Sequence, residues 1–135
     1  MPLLPWLSLT LALSSTGVPD PLVHTYSIVA RDSVTGEIGV AVQSHYFSVG
    51  PIVPWVEAGV GGIATQSLVR VEYGPDGLAL LRAGMDAGAV RDSLLRSDPH
   101  NEGRQLAVID TRGNVAAYTG PSCIPDAGDV QGPLQ

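Results

Sequence analysis

"TYSIVARDSVTGEIGVAVQS", residues 25–44, decides how this chain folds. Tyr26, Ile28 and Ala30 alternate with Ser27, Val29 and Arg31, the period-two pattern of a strand. Apolar side chains occur at both parities, which suits a strand packed inside a layered fold. "SVTGE" then supplies a turn in which Gly36 can take a positive φ. "IGVAVQS" returns as a second strand, so the stretch predicts an antiparallel hairpin.

Downstream, residues 45–58 are broken by Gly50, Pro51 and Pro54 and read as irregular. "AGVGGIATQS" is small and apolar, as in a strand lying close to another backbone. "PDGLALLRAG" reads as a helix with Pro75 near its first turn and Gly84 closing it. "MDAGAVRDSLLRSD" puts Val90, Leu94 and Leu95 on one side of a second helix, with Arg91, Asp92 and Arg96 elsewhere, and Asp98-Pro99 stops it. "RQLAVID", "TRGN" and "VAAYTG" form a second hairpin with Gly113 in its turn, and the tail is turn material. Helices enclosed between strand pairs argue for an α/β layered sandwich rather than an all-β barrel.

The chain has 135 residues, room for one domain at most. Hydrophobic residues make up 44% and charged ones 15%, enough for a core and too little charge for a disordered tail. Net charge is −6 and all seven basic residues are scattered arginines, so no nucleic-acid partner is expected. The lone Cys123 forms no internal disulfide and reads as a small buried hydrophobe. "MPLLPWLSLTLA" at the start is apolar but below the roughly 20 residues that span a bilayer. It resembles the apolar part of a secretory signal, with Ala12 and Ser14 as small residues before a cut, although no Lys or Arg precedes it and Pro2 and Pro5 interrupt it. The domain is placed at 25–135 behind a signal-like or disordered segment at 1–24. The expected location is secreted or periplasmic, otherwise cytoplasmic.

Most familiar chemistries lack their signals. "GVGGIA", residues 59–64, fits a dinucleotide fingerprint, but "TQSLVRVEYGP" follows where a helix is required. The glycines either permit close sheet packing or turn the amides of Gly61 and Gly62 into a site as oxyanion donors. His24, His45 and His100 stand far apart, so no metal and no cofactor are expected. No G-x-S-x-G elbow occurs. Asp32 and Glu37 flank a turn and read as solvated, His45 as a loop residue beside Tyr46 and Phe47, and Trp55 as core.

The string from "TYSIVARDSVTGEIGVAVQSHYFSVGPIVPWVEAGVGGIATQS" through "YGPDGLALLRAG" to "RQLAVIDTRGNVAAYTGPSCIPDAG" resembles the family known as domain of unknown function 1028. The likeness runs from Thr25 to about Gly128. It implies a fold like the N-terminal-nucleophile hydrolases, a four-layer αββα sandwich with mainly antiparallel sheets, and no settled substrate. In such hydrolases the first residue of the first strand attacks through its side chain while its own α-amine takes the proton. An α-amine with a pKa near ~8 can do so at neutral pH. Thr25 holds that position, as a nucleophile or as a β-branched residue where such residues belong. Leu22 and His24 make a poor signal-peptidase site ahead of it, so exposure needs another protease or self-cleavage.

By the same resemblance, Gln43 and Ser44 approach Thr25 and orient its hydroxyl or amine, or are simply polar residues at a strand end. Gly61 and Gly62 are the oxyanion candidates, and Thr65 and Gln66 line the same cleft. The implied partner is a small-molecule or peptide-like substrate. The sequence departs from the family in carrying Asp126 where tryptophan is common, and in ending at "DVQGPLQ" where family domains continue through further strands. A truncated sandwich would leave unpaired strand edges, which favour self-association. Two functions follow: an amide-cleaving hydrolase, or a non-catalytic binding or structural module that never frees Thr25.

Overall fold

A computed structural model of the chain describes residues 24–132. The signal-like residues 1–23 lie outside them. The opening hairpin forms as expected: β1 (Tyr26–Arg31) pairs antiparallel with β2 (Ile38–Gln43), Tyr26 opposite Gln43 and Arg31 opposite Ile38. Its turn is fixed by Asp32, whose carboxylate accepts the Val34 and Thr35 amides at 2.7 and 2.8 Å. Gly36 takes φ +76°, a conformation costly for residues with a Cβ.

The remaining strands form one antiparallel sheet in the order β3-β4-β5-β6. These are β3 (Pro54–Glu57), β4 (Gly61–Ser67), β5 (Arg104–Asp110) and β6 (Val115–Thr119). β3 falls where the sequence reads as irregular. It is an edge strand and Pro54 is its first residue, one of the few sheet positions that tolerate proline. Helices α1 (Tyr73–Arg82) and α2 (Ala87–Arg96) follow β4. Gly84 at φ +91° ends the first, and Asp86 caps the second by accepting the Ala89 amide at 2.8 Å.

The helices cover one face of the four-stranded sheet. Ile63, Leu106, Val108 and Ala116 point from β4, β5 and β6 into a core completed by Tyr73, Leu78, Leu81, Val90 and Leu94. Glycines let α1 approach. A Cβ on Gly77 would lie 2.3 Å from Ile63 Cδ1, and one on Gly74 would lie 2.2 Å from the Trp55 ring. Trp55, expected in the core, packs against it half-buried.

The hairpin packs on the opposite face, β2 over β3 and β4 and β1 over β4 and β5. Contact is close because β4 is small there: a Cβ on Gly62 would meet Val40 Cγ2 at 2.9 Å and Ile38 Cγ2 at 3.0 Å. The result is a mixed α/β fold of helices, sheet and hairpin with antiparallel pairing throughout. The hairpin's outer face exposes Tyr26 and Ile28 among the described residues.

Candidate inter-sheet cleft

β-strand alternation sorts the hairpin's side chains. Val29, Arg31, Ile38, Val40 and Val42 are half-buried toward the sheet, while Tyr26, Ile28, Ala30, Gly39, Ala41 and Gln43 are exposed. One residue before β1, Thr25 shares the inward parity. It sits opposite Ser44, and their hydroxyl oxygens are 2.8 Å apart. Ser44 Oγ also accepts the Tyr46 amide at 3.0 Å, which fixes its position beside Thr25.

Thr25 opens on a cleft of about 490 Å³ between β1 and the sheet. Ala64 and Gln66 of β4, Gln105 and Ala107 of β5, and Ala117 and Thr119 of β6 contribute to its floor. Residues 128–132 form the far wall. Gln66 and Gln105 are direct cross-strand partners. Gln105 Nε2 donates to Thr119 Oγ1 and to the Gly128 carbonyl, both at 3.2 Å, and Thr119 Oγ1 donates to Asp129 at 2.8 Å. Gln66 Nε2 is buried and has no hydrogen-bond partner among the described residues. A buried donor left unpaired costs about 1–3 kcal/mol, so an acceptor brought to this point gains by more than an ordinary hydrogen bond.

The residues singled out in the sequence thus divide. Thr25, Ser44 and Gln66 reach the cleft or its head. Gln43 is on the exposed face of β2. Thr65 points to the helix side, where its hydroxyl donates to the Ile52 carbonyl at 2.9 Å and is fully buried. Gly61 and Gly62 lie within β4, paired to β3 on one edge and β5 on the other, so their amides lie in the plane of the sheet. Gly62 faces Val40, whose partner on β1 is Val29. Thr25 is four residues further, ~13 Å at ~3.3 Å per residue. Both glycines serve packing: a Cβ on Gly61 would lie 2.5 Å from the Ile109 carbonyl oxygen. His45 stacks beside Tyr46, with ring centroids 4.3 Å apart. Cys123 is half-buried, its Sγ 3.4 Å from the Arg104 carbonyl oxygen.

Gln105, Thr119 and Asp129 were not legible as site residues. Only the strand register sets Gln105 against Gln66, and only the tertiary fold returns Asp129 to Thr119.

The perturbed titratable groups lie away from the cleft. Burial pushes the Asp98 carboxyl up, but the Arg104 side chain, the His100 amide and the Tyr73 hydroxyl outweigh it and hold the pKa at about 2. Burial and the Asp98 carboxylate push the Tyr73 phenol up. Burial likewise raises Asp110, but hydrogen bonds from Asn114 and Arg112 bring it below the usual value. Asp98 ties α1 and the end of α2 to β5 through Tyr73 (3.0 Å) and Arg104 (2.9 Å), a structural anchor. Among the described residues no group of three His, Cys, Asp or Glu could hold a metal, and no helix is long and apolar enough to cross a membrane.

This chain belongs to the Family of unknown function (DUF1028), whose model matches residues 25–134. It is similar to the crystal structure of protein SPO2555 from Silicibacter pomeroyi, a DUF1028 structure, with 33% identity and a TM-score of 0.75. The match covers 78% of this chain and 49% of that one, so the chain spans about half the length of that relative. No curated protein matches it.

Proposed function

We propose that the chain is a hydrolase of amide-like bonds of the N-terminal-nucleophile type, activated when the His24–Thr25 bond is cut. The observation that carries this reading is the Thr25 hydroxyl, at the head of the leading strand, on the cleft side, 2.8 Å from Ser44 Oγ. In the intact chain the Thr25 nitrogen is an amide and accepts no proton. Cleavage turns it into an amine with a pKa near ~8. That amine takes the hydroxyl proton as Oγ1 attacks the substrate carbonyl, then delivers it to the leaving nitrogen. Water, activated by the same amine, releases the acyl group from Oγ1. Ser44 holds Thr25 in position. The Gln66 carboxamide is the donor for the developing oxyanion, in place of the Gly61 and Gly62 amides, which belong to the sheet. The reading carries with it a four-layer αββα sandwich in which a second helical layer covers Tyr26 and Ile28. The cut at His24–Thr25 is made by a protease other than signal peptidase or by the chain itself, at a secreted or periplasmic site.

Intact-mass analysis of the protein from its native host tests the proposal. The active form begins at Thr25, and its Thr25→Ala variant retains fold and loses turnover. A mature chain that always keeps His24 removes the only base and leaves the second reading, a binding module. The amide link between His24 and Thr25 is the observation favouring that alternative.

A further inference from the structure

We infer that Gln66 and Gln105 form one subsite on the cleft floor, and that the group it takes is a primary carboxamide. The two are direct cross-strand partners on β4 and β5, and both line the cleft. Partners of this kind hold their Cβ atoms about 4.5–5.5 Å apart on one face of a sheet. The orientation of Gln105 is fixed by its neighbours. Thr119 gives its one hydroxyl hydrogen to Asp129, so it can only accept from Gln105, and the Gly128 carbonyl can only accept as well. The amino group of Gln105 is spent on these two bonds, each 3.2 Å, and its Oε1 receives no hydrogen bond among the described residues. Gln66 is the converse. Its Nε2 is enclosed by the described residues and finds no acceptor among them. A half-turn of its terminal torsion, which is broad and two-fold, brings that amino group to the accessible side in exchange for Oε1.

A donor and an acceptor side by side select the ligand. A carboxylate meets the Gln66 donor but sets its charge against Gln105 Oε1. An ammonium meets Oε1 and leaves the Gln66 nitrogen unpaired, and a buried donor without a partner is costly. A trans peptide points its carbonyl and its N–H to opposite sides, so it serves one member of the pair at a time. A primary carboxamide carries both groups on one carbon and satisfies both side chains. Ala64 and Ala107, the next cross-strand pair on the same face, are small enough to admit an alkyl stem.

As an assignment of the scissile group this rests on the hydrolase reading. With its carbonyl on Gln66 and its amino group on Gln105, the carboxamide loses ammonia when Thr25 Oγ1 bonds to its carbon and the C–N bond breaks. The hydroxyl proton of Thr25 leaves with the ammonia, and water then frees the carboxylic acid from Oγ1. As a binding site the pair does not need that reading, and the test separates the two. The probe is N-acetylglutamine N-methylamide, set against its glutamate and lysine counterparts and its side-chain N-methyl form, each added to the full-length Thr25→Ala chain. The glutamine probe binds at least about tenfold more tightly than the others and shifts the side-chain amide NMR signals of Gln66. Gln66→Leu and Gln105→Leu each weaken it about tenfold. Gln66→Glu replaces the donor by an acceptor and inverts the series, so that the lysine probe binds best, a change that a merely structural role would not produce. Equal binding of all four probes, no binding of the glutamine probe at millimolar concentration, or an unaltered order in Gln66→Glu overturns the inference. Carboxamide-selective binding by the Thr25→Ala chain, with no ammonia released by a chain beginning at Thr25, sinks the hydrolase reading and leaves the subsite standing. Cleavage of secondary amides by that chain, with no ammonia released from the glutamine probe, does the reverse.

Discussion

The two faces of the four-stranded sheet are built from neighbouring residues and do opposite things. On the helix face, Ile63, Leu106 and Val108 are sealed under α1 and α2. On the other, Gly62, Ala64, Gln66, Gln105 and Ala107 are small or polar, closed where the hairpin presses on Gly62 and open beyond β1. The first face holds the domain together by removing apolar area from water, at ~25 cal/mol per Å². The second keeps side chains short enough to leave a cleft and places hydroxyls and carboxamides within it. Stability and the candidate site are thereby separated across one layer of backbone.

Truncation should separate the two faces most sharply. Ile63→Ala should cost about 2–5 kcal/mol in urea unfolding, whereas its neighbour Ala64→Gly should cost about 1 kcal/mol. Equal losses would erase the distinction between the faces. Overfilling the helix face comes next: Gly74→Ala drives a methyl into the Trp55 ring and should cost about 1–3 kcal/mol, with a blue shift or quenching change in tryptophan fluorescence as the indole moves.

Acid provides a third contrast, since the anchored carboxylates lie off the cleft. Asp98 titrates near 2 in the folded chain against an ordinary 3.8, so it stabilises the fold above about pH 4 and ceases to do so as pH falls through about 2. The loss amounts to about 2 kcal/mol at most and should be blunted in Asp98→Asn, measured as urea midpoints between pH 5 and pH 2. An unchanged acid limb in that variant would remove Asp98 from the anchor. Thr25→Ala should change stability by no more than about 1 kcal/mol, the worth of its bond to Ser44, while abolishing turnover. The smallest effect belongs to the hairpin's outer face: Ile28→Thr, at a position 61% exposed, should stay within about 0.5 kcal/mol in the isolated chain. A larger loss would show that this face is covered in solution.

Much of the fold was legible. Both hairpins announced themselves through alternation and turn glycines, and both helices through their spacing and stops. β3 was missed because Pro51 and Pro54 signal a break, and only its place at the sheet edge makes Pro54 acceptable. Of the site, Thr25 and Ser44 were legible as the two ends of one predicted hairpin, brought together by its register. Gly61, Gly62 and Thr65 were read toward the cleft because a run of small residues carries no marker of which face meets which layer.

The sequence alone determined both hairpins, the strand between them and both helices, the pairing of each hairpin and the residue at the head of the first strand, because these depend on periodicity and turn chemistry within a few residues. Only the tertiary structure decided that Thr65 faces the helices, that Gly62 is pressed by Val40, and that Gln66 meets Gln105 beside Asp129. Those facts depend on how layers stack across dozens of residues of chain. A one-residue change of parity in β4 would have exchanged the core for the cleft.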